Sequence, residues 1–331
     1  MRVVTILGLA LAVAVVTGHA KEQRMTPGTK SHCLGRHLVD LPADAQVRGS
    51  YTFARADVKT HRSISMEQFE RKVSARENEL RGALHNDSGN MFVGRREIAE
   101  TQVSLASWFS PASRMMYRYE LFSYFPGQQV LYVFDGGGSA SEGALSSAYE
   151  FQQSLAESIR FRAVGEVPTE PGFCIDSGLI QRSKFNREEV TATIRLRQYP
   201  SVTLTFMSYV TGNPDRELLR RASTIPPGYE EVAAQMQTLR RGNRNLGQVK
   251  GQELLVRGDG DGKKAYEFLW ESQGQADSLE YPFLSLQLST TGESDAEGEV
   301  IDAPFDSNEE AMALWDEILG SLRLRPGAVA R

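Results

Sequence analysis

The feature that most constrains this fold is a pair of cysteines that lie far apart in the chain. Cys33 is near the start of the 331 residues, Cys174 is near the middle, and the sequence has no other cysteine. Two cysteines in an exported chain predict one disulfide, here closing a loop of about 142 residues. Two buried free thiols are the alternative. A catalytic thiol is disfavoured, because sequence alone links no histidine to Cys174.

The amino terminus predicts export. Arg2 supplies a positive charge, an apolar run occupies residues 3–16, and Gly18-His19-Ala20 follows it. This arrangement predicts a signal sequence over residues 1–20, cleaved after Ala20. An uncleaved membrane anchor is the alternative, but the apolar run is shorter than the roughly 20 residues that a span needs.

Charge and length limit what the mature chain can be. The 37 basic and 42 acidic side chains give a net charge of −5, and the basic residues form no cluster. Such a chain is a poor candidate for binding nucleic acid or anionic lipid. No later segment is apolar enough for stable membrane insertion, and the length predicts two domains.

Hydrophobic periodicity predicts a similar series of elements in each half. In the first half we expect a strand at 47–58, a helix at about 66–84 behind a capping box at Ser65, strands at about 97–107, 116–125 and 129–134, and a helix at about 144–159. In the second half we expect strands at 191–197 and 202–207, a helical region at 215–240 broken near Pro226, strands at about 252–257, 264–271 and 282–289, and a helix behind a capping box at Ser307.

The two halves resemble one another. Each closing helix ends in the order Ser, apolar, Arg, apolar, Arg, at residues 158–162 and 321–325. We therefore predict an α+β fold of two domains, residues 21–163 and 164–331, with 164–171 as a linker. Each domain would be a mostly antiparallel sheet with helices packed on it. An internal duplication would give both halves the same strand order, whereas chance similarity would not.

The sequence offers little for catalysis. Removal of the signal leaves His32, His37, His61 and His85, so the second half contains no histidine. Ser139 follows a predicted strand and precedes a helix, as a hydrolase nucleophile does. Its surroundings, Gly-Gly-Ser-Ala-Ser, lack the final glycine of the G-x-S-x-G motif. A glycine-rich connector is the simpler interpretation of residues 135–138, so we predict no catalytic residue.

Metal and cofactor sites are not predicted either. His32, Cys33 and His37 are close in sequence, but a zinc site needs four ligands and no second cluster exists. Asp259-Gly-Asp261 resembles the start of a calcium loop, yet Trp270 stands where the twelfth-position glutamate belongs. Residues 135–138 are not followed by a dinucleotide fingerprint.

Several segments resemble one protein family, and they occur in the family's order. Cys33-x2-Arg36-x3-Asp40-Leu-Pro is similar to its amino-terminal signature. The run Gly172-Phe-Cys174-Ile-Asp-x-Gly-x-Ile180 is similar to the start of its carboxy-terminal domain, and 251–255, 266–270 and 282–288 are similar to that domain's sheet. The chain thus resembles periplasmic immunity proteins paired with type VI secretion phospholipase effectors of the α/β-hydrolase kind. The resemblance covers nearly the whole mature chain.

The resemblance implies a function without catalysis or cofactors. A monomer exported to the periplasm would bind one effector phospholipase, hold it between two domains like a clamp, and keep its lid from opening onto lipid. Among the residues themselves, the acidic turn at 258–262 suggests that Asp259 and Asp261 meet basic groups on the effector. A solvated turn is the alternative. The competing functions are a periplasmic scaffold without a toxin partner and an exported hydrolase that uses Ser139.

Overall fold

The computed structural model describes residues 28–182, 187–224, 227–228, 230–260, 263–290 and 303–330. The signal sequence predicted for residues 1–20 lies outside them. The elements of the first half are β1 (Thr29–Leu34), β2 (His37–Pro42), β3 (Gln46–Phe53), β4 (Ala56–Arg62), α1 (Met66–Gly82), β5 (Phe92–Ala99), β6 (Gln102–Ser110), β7 (Ser113–Phe125), β8 (Val130–Ser139), α2 (Ala144–Glu157) and β9 (Ile159–Phe161).

The second half repeats this series. Its elements are β10 (Phe173–Ile175), β11 (Gly178–Ile180), β12 (Glu188–Leu196), β13 (Tyr199–Tyr209), α3 (Leu218–Arg221), α4 (Glu230–Ala234), β14 (Met236–Asn243), β15 (Gln252–Gly260), β16 (Lys263–Ser272), β17 (Phe283–Ser289), α5 (Asn308–Ser321) and β18 (Arg323–Leu324). None of the helices described is both long and apolar enough to cross a membrane.

Capping explains why two of the predicted helices, α1 and α5, begin where they do. At α1 the Ser65 hydroxyl accepts a hydrogen bond from the Gln68 amide, and the Gln68 side chain accepts one from the Ser65 amide. At α5 the Ser307 hydroxyl accepts from the Glu310 amide at 3.2 Å. These bonds satisfy amides that the first turn of a helix leaves without partners. Both predicted start points are confirmed.

Three predicted segments are wrong. Two of them contain a turn between strands, and the third ends in a strand. Residues 47–58 form the hairpin β3–β4 rather than one strand. Its turn residues Ala54 (φ 52°) and Arg55 (φ 66°) both adopt the left-handed conformation, without the Asn or Gly that usually announces such a turn. Residues 97–107 likewise contain the end of β5 and most of β6. The end of the helical region predicted at 215–240 is β14, and among the residues described there only those of α3 and α4 are helical.

One twelve-stranded sheet runs through both halves. Its order is β14-β15-β16-β17-β13-β12-β3-β4-β8-β7-β6-β5. Each half contributes six strands to this sheet. Read outward from the centre, their order in each half is the first of the six, then the second, sixth, fifth, fourth and third. The identical order agrees with an internal duplication and relates the halves by an approximate two-fold axis. The axis passes between β3 and β12, which pair antiparallel over eight residue pairs.

The two halves also exchange their last strands. β18, from the second half, adds to the β1–β2 hairpin, and β9, from the first half, adds to the β10–β11 hairpin. The cysteines occupy equivalent places in these hairpins, since Cys33 lies opposite Leu38 and Cys174 opposite Leu179. They form a buried disulfide with Cα atoms 5.9 Å apart. The bond therefore joins two equivalent positions across the approximate axis.

The large core lies on one face of the sheet and is shared by both halves. Its members include Phe53 and Tyr132 from the first half and Phe206, Trp270 and Trp315 from the second. Helices α2 and α5 contribute to it on that face. A smaller core on the opposite face joins α1 to β6, β7 and β8.

A buried ion pair also connects the halves. Arg36, which follows β1, is 2% exposed, and Glu188, at the start of β12, is 6% exposed. The Arg36 Nε donates to Glu188 at 2.5 Å and Nη2 donates at 3.0 Å. Such a fork of two charge-assisted bonds fixes geometry as well as distance. The backbone of Arg325 donates to the Arg36 carbonyl at 2.8 Å, so the exchanged strand is held at the same place.

We expect the double substitution Cys33→Ser and Cys174→Ser to lower the free energy of unfolding by about 4 kcal/mol, because it releases a long closed loop in the unfolded chain. Urea unfolding of the mature protein, followed by tryptophan fluorescence, measures this loss. An unchanged midpoint would show that the disulfide does not limit the unfolded ensemble.

A second prediction concerns His37, which is fully buried and whose ring nitrogens have no hydrogen-bond partner among the described residues. Burial, with a smaller contribution from the Arg36 charge, lowers the pKa of His37 to about 3. The unfolded chain binds a proton there below pH 6.5, whereas the folded chain does not. His37 therefore does not reduce the stability of the folded protein above pH 6.5. Below that pH, proton binding by the unfolded chain lowers the free energy of unfolding progressively, until the pH reaches about 3.

His37→Leu should flatten this dependence, because leucine carries no proton in either state. Between pH 6 and pH 4 we expect the stability of the variant to fall less steeply than that of the wild type, by about 1.4 kcal/mol per pH unit. Urea unfolding at several pH values compares the two slopes. Equal slopes would mean that His37 is protonated in the folded protein.

Candidate functional site

The face of the central strands opposite the large core is polar, and the residues that the structure describes do not cover it. Strand alternation turns Ala192, Ile194 and Phe206 into the large core, so their neighbours face the other way. Cross-strand register arranges these neighbours in rows over β3, β12, β13 and β17. We call them the open face; its rows are Arg48, Thr193, Thr205 and Gln287, and Ser50, Thr191, Met207 and Ser285.

Short polar side chains dominate the open face. Arg48, Thr193 and Gln287 are exposed, and Thr191 and Thr205 are half-buried. Threonine suits a strand because its branched Cβ packs on the pleat, while its hydroxyl can donate and accept hydrogen bonds. A surface of this kind can bind another protein while remaining soluble alone.

A helix from each half lies on this same face, to either side of the open face. In the first half Phe69 and Val73 of α1 pack on Phe122 and Leu131. In the second half the Leu219 amide of α3 donates to the Gln252 side chain at 3.0 Å. Helix α3 is also held by an ion pair of 2.5 Å between Arg221 and Glu271. The open face is therefore bordered by equivalent segments of the two halves.

A row of carboxylates crosses the strands next to the open face. It consists of Glu120, Asp135, Asp57 and Glu189, with Thr52 between the last two. Arg76 pairs with Glu120 at 2.8 Å. Arg118 binds Asp135 with a hydrogen bond of 2.8 Å from its Nε.

The remaining two carboxylates of this row differ from Glu120 and Asp135 in having no arginine bound to them among the described residues. Asp57 and Glu189 are exposed. The Thr52 hydroxyl donates to Asp57 at 3.2 Å. Neither carboxylate forms an ion pair with a residue that the structure describes. By contrast, the hydrogen bonds from Arg118 to Asp135 raise the pKa of the Arg118 guanidinium.

The acidic turn predicted to contact a partner lies elsewhere. Strand alternation puts Asp259 on the face opposite the open face, where it forms an ion pair of 2.6 Å with Arg257. Its side chain remains about half exposed. The structure pairs Gly260 with Lys263 across the hairpin, and Asp261 lies outside the described residues.

The described residues around Ser139 do not activate its hydroxyl as a nucleophile. Residues 136–138, interpreted from sequence as a connector, are part of β8 and pair with β7, so that interpretation is wrong. The Ser139 hydroxyl accepts a hydrogen bond from the Ser141 amide at 3.3 Å. His85 accepts bonds from the amides of Asp87 and Ser88 at 3.1 and 3.2 Å instead of activating a serine.

The histidines and cysteine that are close in sequence do not form a ligand set. Cys33 is used by the disulfide. Within the part of the chain that the structure describes, no three or more His, Cys, Asp or Glu side chains are placed to hold a metal ion.

Comparison with known proteins relates both halves to one family. A model of the Tle cognate immunity protein 4 N-terminal domain matches residues 30–122, and a model of the C-terminal domain of the same proteins matches residues 166–327. A search of curated proteins finds no match.

Solved structures of similar proteins cover nearly the whole chain. One is from the Tle4–Tli4 complex, with 31% identity, a TM-score of 0.82, and coverage of 90% of this chain and 98% of that one. Another is the apo immunity protein TplEi of the type VI secretion system (T6SS) of Pseudomonas aeruginosa, with 31% identity, the same coverages and a TM-score of 0.79. TplEi complexed with an "L" peptide matches at 30% identity and a TM-score of 0.75, covering 91% of this chain and 99% of that one.

These matches extend over both halves, and the family consists of immunity proteins rather than enzymes, which removes the hydrolase alternative based on Ser139. The chain belongs to the Tle cognate immunity protein 4 family.

Proposed function

We propose that this protein binds a cognate phospholipase effector of a type VI secretion system and inhibits it by holding it against the open face. The observation that carries the proposal is a polar sheet face that the described residues leave uncovered, bordered by one helix from each half, in a relative of the Tli4 protein solved with Tle4. In this proposal the two domains that hold the effector are residues 21–163 and 164–331, and one immunity protein binds one effector.

Rigidity supports a grip of this kind. The two halves share the β3–β12 ladder, exchange their last strands, and are joined by a disulfide and by the Arg36–Glu188 ion pair. A surface that is already ordered loses less conformational entropy when it binds a partner. The effector would therefore meet a preformed surface.

The compartment proposed for this interaction is the periplasm. The buried disulfide fits a protein that folds in an oxidising environment. The signal predicted at residues 1–20 would carry the chain there and be removed. An effector delivered into the same compartment would then be bound before it reaches lipid.

The open face can be tested by filling it without destabilising the sheet. Thr193 and Thr205 are direct cross-strand partners, so Thr193→Glu combined with Thr205→Arg creates an opposite-charge pair that supports the fold. The pair also adds bulk and charge where the effector would lie. We expect the concentration needed for half-inhibition of the lipase to rise about 100-fold, which corresponds to about 2.8 kcal/mol.

The matched control is Gln198→Arg, which adds an exposed charge in the turn between β12 and β13 and should inhibit like the wild type. Thermal unfolding verifies that each variant is folded. Full inhibition by the folded double variant would exclude the open face as the binding surface.

The acidic turn is a separate proposal. If Asp259 and Asp261 attract basic groups on the effector, Asp259→Asn with Asp261→Asn should slow association several-fold at low salt and weaken its salt dependence. Stopped-flow association rates at several salt concentrations measure both effects. A variant that associates at the wild-type rate throughout would identify the turn as merely solvated.

A further inference from the structure

Three large apolar side chains cluster at the end of the β6–β7 hairpin and remain exposed. Phe109 is 57% exposed, Met115 79% and Met116 44%. They line a shallow groove of about 440 Å³ together with Ser110, Ser113 and Ser139. Isolated exposed apolar residues are ordinary, but a cluster on one hairpin indicates a binding surface. We call Phe109, Met115 and Met116 the apolar patch.

Two members of the apolar patch, Phe109 and Met116, lie on the same side of the sheet as the open face. Met115 alternates to the other side of β7 but lines the same groove at the end of the hairpin. Met116, Arg118 and Glu120 are alternate residues of β7, so their side chains lie on the same side of the sheet. A Cβ atom at Gly137 would come within 3.2 Å of the Phe109 ring. Glycine at this position therefore allows the ring to lie flat against β8 on the side that also carries Asp135.

The carboxylates Asp57 and Glu189 lie between the apolar patch and the open face. Register places Met116 opposite Ser139 and Asp57 opposite Asp135. Asp57 is thus separated from Met116 by four residues along the strands and two strands across them, or about 13 Å by about 10 Å. One partner surface can contact all three regions.

We propose that the apolar patch and the carboxylates Asp57 and Glu189 together recognise an apolar segment with a basic side chain beside it, at the lipid-facing surface of the effector. This inference rests on the proposed function and assigns residues to it. A phospholipase must present apolar surface to its substrate, and covering that surface blocks access to lipid. Methionine suits such a contact because its flexible side chain adapts to irregular apolar shapes.

The charges around the patch favour a protein over a membrane as the occupant. Anionic lipid attracts basic clusters, whereas the patch has, among the described residues, a single unpaired arginine next to it, Arg114, which lies over the Trp108 ring, and Arg118 is paired with Asp135. Farther along the same face, Asp57 and Glu189 have no ion-pair partner among the described residues. A basic group of the effector would satisfy these carboxylates in the complex. The patch and the carboxylates therefore require different features of one partner.

Two variants separate the two parts of the surface. Met115→Ser with Met116→Ser should weaken binding to the purified effector about 10-fold or more, mainly through faster dissociation, because apolar contact is lost. Asp57→Asn with Glu189→Gln should instead slow association several-fold at low salt and reduce its salt dependence. Surface plasmon resonance with immobilised effector measures both rates, and Val164→Ser, at an apolar residue that is 86% exposed outside the patch, is the matched control.

The outcomes distinguish the two proposals. If the folded wild type neither binds nor inhibits the effector, the proposed function is wrong and this inference falls with it. If the wild type inhibits and the methionine variant has the wild-type dissociation rate, only the inference is overturned. Met116→Ser alone, on the side of the sheet that carries the open face, serves if the double variant does not fold. Wild-type flotation with phosphatidylethanolamine–phosphatidylglycerol vesicles, lost in the methionine variant, would overturn it in favour of a membrane.

Discussion

The pairing of β3 with β12 is the interaction on which the rest of the structure depends. It joins the first strand that each half contributes to the large sheet, over eight residue pairs, and so makes one sheet from two. Because side chains alternate along both strands, the same ladder fixes two surfaces at once. One side contributes Tyr51, Val190 and Ala192 to the shared core, and the other contributes Ser50 and Thr191 to the open face. A shift of one residue would interchange them.

The exchanged strands explain why one disulfide is enough to hold the halves together. If β9 and β18 had returned to their own hairpins, each half would form its own small sheet. As observed, each hairpin is completed by the other half, and the cysteines meet where the approximate axis makes their positions equivalent. The Arg36–Glu188 pair lies in the same region, and removing either charge would leave the other buried without a partner. Covalent, ionic and backbone links therefore act together.

Sequence predicted most of the secondary structure, the family and the disulfide between the halves, but it did not predict the shared sheet and the exchanged strands that also join them. The helices α1 and α5 were predictable because capping and amphipathic spacing are local signals. The hairpin at Ala54 and Arg55 was not, because residues other than glycine and asparagine occupy its left-handed positions. Nothing in the alternation of β12 showed that it would pair with β3, a strand over a hundred residues away. The open face was visible only as the polar half of that alternation, and register was needed to assemble it.

The ends of the sheet carry features that oppose pairing with the strands of another copy of the chain. The outer strands β5 and β14 end the described sheet, and free strand edges invite pairing with other chains. Both strands have register irregularities, and both carry adjacent arginines: Arg95 and Arg96 in β5, Arg240 and Arg241 in β14. Bulges disturb the ladder and arginines oppose close approach of like strands. Because the two edges are equivalent under the approximate axis, the same protection serves both ends and leaves the open face available to a partner.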